Sequence, residues 1–80
     1  MAISASGNSK NLIRAVEYGN SSSITTISLT GFDGGELKNL TQKNVHVDSE
    51  LGEYGPVEDL HMVLDHLVGT YLMLQNRGEL

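Results

Sequence analysis

The chain contains no cysteine and no tryptophan, one proline, one phenylalanine and three tyrosines among its 80 residues. Without cysteine, a disulfide scaffold and a thiolate metal site are both excluded. With four aromatic residues, the core must be aliphatic and thin. A chain of this size buries only about 60–65% of its unfolded surface. Basic residues are also scarce: five Lys and Arg stand against ten Asp and Glu, a net charge of −5. Such a balance argues against a binder of nucleic-acid backbones, which needs a clustered basic face. A small phosphorylated ligand is compatible with it, because amides and hydroxyls hold phosphate without net positive charge. No apolar run approaches 18 residues, and no charged n-region precedes an apolar one. The composition reads as a soluble, cytoplasmic protein without membrane contact, a single domain or part of one.

What is present falls into alternating patterns. Met1-Ala2-Ile3-Ser4 reads as the end of a strand running into Ser6-Gly7-Asn8-Ser9. It is shorter than a usual strand, which suggests a truncated domain. Ser9 is placed to cap a helix over about Lys10 to Tyr18, with Leu12, Ile13 and Val16 on its apolar side and Gly19-Asn20 as its stop. The β-branched run from Ile24 to Thr30 predicts a buried strand. Gly31-Phe32-Asp33-Gly34-Gly35 is a turn; a short helix from Glu36 to Thr41 and a strand from Asn44 to Val47 follow it. Pro56 is expected at the first position of a helix ending near Gln75, with Glu58 and Asp59 in its first turn. The pattern βαβαβα implies a parallel sheet with right-handed crossovers. In the last helix Val57, Leu60, Leu64, Leu67, Tyr71 and Leu74 form a heptad seam, and Val63, Val68, Leu72 and Met73 add a second apolar side. A helix apolar nearly all round is expected to be buried, here against a partner surface.

Three places can carry chemistry. In Ser4-Ala5-Ser6-Gly7-Asn8-Ser9, hydroxyls and amides meet at a helix N-terminus beyond the carboxyl end of a parallel strand. That setting suits an anion, although a plain polar turn would read the same. Thr30-Gly31-Phe32-Asp33-Gly34-Gly35 leaves the same sheet edge, as a turn first and as a pocket wall second. On the last helix, Glu58 and His61 stand at i, i+3 and His61 and Asp65 at i, i+4. Both are chelating spacings that a solvated helix face also produces. Glu58 and His66 are eight residues apart, about 12 Å along a straight helix. Two ligands each about 2 Å from one zinc ion do not span that distance. Serving one ion together requires an irregular helix start or different copies of the chain.

Taken together, Ser4-Ala5-Ser6-Gly7-Asn8-Ser9-Lys10-Asn11, Ala15-Val16-Glu17-Tyr18, Leu29-Thr30-Gly31-Phe32-Asp33-Gly34-Gly35, Tyr54-Gly55-Pro56-Val57-Glu58-Asp59-Leu60-His61 and Leu64-Asp65-His66 resemble the sugar isomerase (SIS) domain of the phosphoheptose isomerases. The resemblance covers about residues 2 to 72. It implies a three-layer flavodoxin-like α/β fold with a parallel sheet, residues 1–80 being the C-terminal half of one SIS domain. It further implies a cytoplasmic homotetramer, assembled through the C-terminal helix, that isomerises sedoheptulose 7-phosphate to a heptose 7-phosphate.

By the same resemblance Ser4, Ser6 and Ser9, with the Ala5 backbone, hold the sugar phosphate. His66 matches a catalytic and zinc-ligating histidine. Glu58 stands where many members have a glutamine that contacts substrate and metal; a carboxylate there adds a charge and a potential base. His61 matches a family histidine without an assigned role. The remaining metal ligands and a further carboxylate belong to the first half of such domains. The family resemblance also leaves room for a non-catalytic member: a phosphosugar-sensing regulator, or an assembly factor that binds the bacterial replication initiator.

Overall fold

In the computed structural model, which describes residues 1–80, three short strands lie side by side and parallel: β1 (Ala2–Ser4), β2 (Ile27–Thr30) and β3 (Lys43–His46), in that spatial order. Helices α1 (Lys10–Ser21), α2 (Leu37–Leu40) and α3 (Tyr54–Asn76) alternate with them. The βαβαβα order and open parallel sheet agree with part of a flavodoxin-like domain. Register pairs Ser4 with Thr30 and Thr30 with His46, so all three strands end level at one edge.

Side chains alternate across a sheet, and here each face has its own chemistry. Ala2, Ser28 and Asn44 share one face with Ser4, Thr30 and His46. There Ala2 meets Val16 of α1 and Leu37 of α2, and Leu12, Ile13 and Leu40 pack around that small cluster. The strand interior beside it is polar, since Ser28 and Thr30 are fully buried. This is tolerated because the hydroxyls satisfy one another. Thr41 Oγ1 donates to the Leu37 carbonyl at 3.0 Å, leaving its lone pair to Ser28 Oγ at 2.7 Å; Ser28 in turn accepts from Asn44 Nδ2 at 2.8 Å. No buried side-chain nitrogen or oxygen lacks a partner.

The opposite face carries Ile3, Ile27, Leu29 and Val45, and α3 covers it only in part. Leu29 is buried, but Ile3 and Val45 each remain 44% exposed. Contact with α3 is made by its first two turns. Val57 is fully buried against Gly31, where an added Cβ would lie 2.5 Å from Val57 Cγ1. His61 is buried and donates Nε2–H to the Thr30 carbonyl at 2.9 Å.

Two sequence expectations change. First, α1 does not stop at Gly19-Asn20 but runs to Ser21. Gly19 lies inside the helix because Thr26 Cγ2 would sit 3.0 Å from a Cβ there. Asn20 is tied down by donating to the Leu40 carbonyl and accepting from Thr26 Oγ1. The turn closes at Ser23, whose φ is +60°, so Ile24 to Thr26 become a connection and β2 begins only at Ile27. Second, α3 begins at Tyr54, which makes Pro56 its third residue. A missing amide is still harmless in the first turn, but Glu58 and Asp59 now fall in the second, past the positive end. The expected cover for α3 is a partner surface, and within one chain the apolar residues beyond His61 are uncovered: Val63, Leu67, Val68, Tyr71, Leu72 and Met73 are all exposed. The helix is about 34 Å long by its 23 residues, more than the sheet can cover.

Because the apolar cluster is so small, it is sensitive. Leu37→Ala is expected to lower unfolding free energy by about 2–4 kcal/mol, as read by urea unfolding followed by circular dichroism. An unchanged midpoint would show that this cluster does not hold α2 to the sheet.

Candidate functional site

At the carboxyl edge of the sheet two glycine-containing loops close on each other, backbone against backbone. The first, Ser4 to Ser9, folds through its own hydroxyls. Ser4 Oγ accepts the Gly7 amide at 3.1 Å and lies 3.2 Å from Ser9 Oγ, while Ser6 Oγ accepts the Asn8 amide at 3.2 Å. Gly7 has φ +70°, and a Cβ on it would fall 1.9 Å from the Gly34 carbonyl oxygen. Only glycine meets both requirements. The second loop, Gly31 to Gly35, and the two residues after it are bound to the first by three hydrogen bonds. The Gly31 amide donates to the Ala5 carbonyl, the Leu37 amide to the Gly7 carbonyl and the Glu36 amide to Asn8 Oδ1. The pair is one rigid rim rather than two independent turns.

Ser9 occupies the N-cap position of α1 but its hydroxyl does not cap. Its carbonyl accepts the Ile13 amide at 3.0 Å, and its hydroxyl turns to Ser4 instead. The amides of Lys10, Asn11 and Leu12 therefore have no acceptor within the chain. Free first-turn amides and the helix dipole together favour an anion. Lys10 begins the helix, a cation where the dipole is already positive, and an anion there would offset the repulsion.

On the α3 side of β1 lies a cavity of about 260 Å³ lined by Ile3, Ala5, Glu58, His61, Met62 and Asp65. It meets the serine loop at Ala5. Glu58 therefore comes beside that loop. His66 does not join it: the residue is exposed on α3 and outside the cavity. Helix α3 is continuous from Tyr54 to Asn76, so Glu58 and His66 stay about 12 Å apart along its axis. An irregular start does not bring them together. No three His, Asp or Glu side chains lie close enough to hold a metal ion. The donors of a single chain thus do not fit zinc.

Three neighbours of the site were not legible as such in the sequence. Lys10 is signalled only by a basic residue directly after a capping serine. Asn8 looks like a turn former, yet its side chain joins the two loops. His46 ends β3, and its Nδ1 lies 2.9 Å from Thr30 Oγ1; being last in a parallel strand is the one hint it offers.

Gly7→Ala is expected to separate the two loops. Amide hydrogen exchange at Glu36 and Leu37 should rise at least tenfold, whereas protection equal to that of the parent would mean that the contact between loops is not what orders them.

Comparison with known proteins follows the same residues. The chain is similar to a phosphoheptose isomerase of Colwellia psychrerythraea, 37% identical over 67 residues, covering 82% of this chain and 34% of that protein. A probable phosphoheptose isomerase of Thermoplasma acidophilum is 34% identical over 68 residues, covering 85% and 36%. The DnaA initiator-associating protein DiaA of Yersinia enterocolitica is 39% identical over 64 residues, covering 79% and 33%. The chain thus spans about a third of the length of these relatives. No protein-family profile matches it, and neither does any solved structure. Over the residues they share, the chain is thus similar both to phosphoheptose isomerases and to DiaA, and its open parallel α/β sheet accords with part of such a domain.

Proposed function

We propose that this chain is the phosphate-binding, C-terminal half of a sugar isomerase domain. The intact protein would interconvert sedoheptulose 7-phosphate and an aldose heptose 7-phosphate. The observation that carries the reading is the group of free amides at Lys10, Asn11 and Leu12 beside the hydroxyls of Ser4, Ser6 and Ser9. Amides and hydroxyls donate to a phosphate's oxygens while adding no charge, and Ala5 lies between them and the cavity that holds Glu58.

In this reading the phosphate is a handle whose binding holds the reacting carbons in place. Isomerisation then passes through a cis-enediol. A carboxylate removes the proton on the carbon beside the carbonyl and returns it to the neighbouring carbon, while a histidine moves protons between the two oxygens. Glu58 lines the cavity that Ala5 joins to the loop, serving as base or substrate contact. His66 is the acid/base histidine, and since it lies outside the cavity its substrate would be one held by another copy. Zinc is proposed only for such an assembly, with Glu58 and His66 from different chains; no proton transfer above depends on it. Homotetramer formation through α3 is proposed on its exposed Leu60, Leu67 and Tyr71.

A second reading, an assembly module without catalysis, is favoured by the relatives named DnaA initiator-associating protein, 36–39% identical to this chain. Such a protein would keep the phosphate loop and α3 and would not turn substrate over.

Titration with sedoheptulose 7-phosphate separates these outcomes. Ser4→Ala and Ser6→Ala are each expected to weaken binding about tenfold, the effect of one lost hydrogen bond to a charged group. Unchanged affinity in both would remove the loop from the site. In a chain of the relatives' length, His66→Ala should abolish isomerisation and leave sugar phosphate binding measurable; full turnover would exclude His66, and no turnover in the parent would favour the assembly module. Sedimentation tests the helix: the parent is expected to run as an oligomer and Leu67→Asp as a monomer, and a monomeric parent would contradict assembly through α3.

A further inference from the structure

The geometry points to His61 and Asp65 as the residues that read the hydroxyl groups of the sugar, in the cavity between α3 and the end of β1. This rests on the sugar phosphate reading for the class of ligand, while the place and the residues come from the cavity itself. His61 is only 4% exposed, and its Nε2 donates to the Thr30 carbonyl, an acceptor with no proton to give. That bond fixes the neutral ring's tautomer: Nε2 carries the hydrogen and Nδ1 is left as an acceptor. Nδ1 makes no hydrogen bond, yet the molecule contains no buried side-chain nitrogen without a partner. Nδ1 is therefore not sealed from solvent, and His61 lines the cavity beside β1.

Glu58 precedes His61 by three residues and Asp65 follows it by four, so all three stand on one side of α3, and all line the cavity. The polar groups that these three side chains present are acceptors: two carboxylates and an imidazole lone pair. They call for a ligand rich in donors. A bare metal ion is not that ligand, since no three such side chains are spaced to hold one. A polyhydroxylated carbon chain is, because each hydroxyl donates one hydrogen, and the side chains of Ile3 and Met62 supply apolar walls for its C–H faces. About 260 Å³ accommodates several hydroxymethylene units. Ala5 joins the cavity to the phosphate loop, so one molecule can place its phosphate at α1 and its hydroxyls against α3. The division of labour is by charge: donors hold the phosphate, acceptors hold the hydroxyls.

The test uses the 80-residue chain and three probes: inorganic phosphate, unphosphorylated sedoheptulose and sedoheptulose 7-phosphate. His61→Gln keeps an N–H for the Thr30 carbonyl and removes the Nδ1 acceptor; Asp65→Asn replaces one carboxylate oxygen with a donor at an exposed position that folding does not depend on. Sedoheptulose is expected to shift the His61 ring signals in nuclear magnetic resonance spectra. Each variant should bind sedoheptulose 7-phosphate about tenfold more weakly while its affinity for inorganic phosphate stays within twofold of the parent. Unmoved His61 signals at saturating sugar phosphate, with unchanged affinity in Asp65→Asn, would overturn the inference and leave the phosphate loop intact. Sedoheptulose that shifts His61 in a chain indifferent to inorganic phosphate would support it and overturn the phosphate reading instead.

Discussion

The carbonyl of Thr30 accepts two hydrogen bonds, one from His61 Nε2 and one from the Val47 amide, each at 2.9 Å. The same residue's hydroxyl meets His46 Nδ1 and Asn44 Nδ2. One residue at the end of the central strand thus fixes where α3 docks, where β3 leaves the sheet and how the polar face of the core is closed. Gly31 follows directly and gives Val57 the room to approach. Buried bonds of this kind are costly to leave unmade, because each lost partner strands a desolvated polar group. Helix α3 is held to the sheet through its first two turns alone, by His61, Val57 and the edge-on contact of Tyr54 with Phe32.

The loops on that edge follow the same logic with backbone instead of side chains. Gly7 and Gly35 let two turns approach more closely than any Cβ would permit, a Cβ on Gly35 meeting the Ser6 carbonyl oxygen at 2.4 Å. Within the first loop Ser9 pairs with Ser4, and the amides at the start of α1 remain free.

The order of elements was legible because β-branched runs, glycine turns and helical spacing all agreed on βαβαβα. Boundaries were less so. Asn20 beside Gly19 reads as a helix stop, but its side chain is held by Leu40 and Thr26, contacts that no local pattern announces. Ser28 and Thr30 read as ordinary strand residues, and nothing local shows that both are fully buried in a hydroxyl network. The serine loop was legible from its composition at a strand–helix junction. The tautomer of His61 was not, because it is set by a carbonyl 31 residues earlier in the chain. The apolar character of α3 was legible, and so was its need for a partner surface. Burial depends on a second surface, and one chain's sheet covers only the first two turns.

The central claim is that the start of α1 and the serine loop form one anion site. Backbone amide shifts recorded while inorganic phosphate is added test it most directly. Saturable shifts concentrated at Ser4 to Leu12 are expected, with Glu36 and Leu37 following because their amides are bonded to that loop. Shifts spread evenly over the chain, or centred on residues outside these loops, would contradict it.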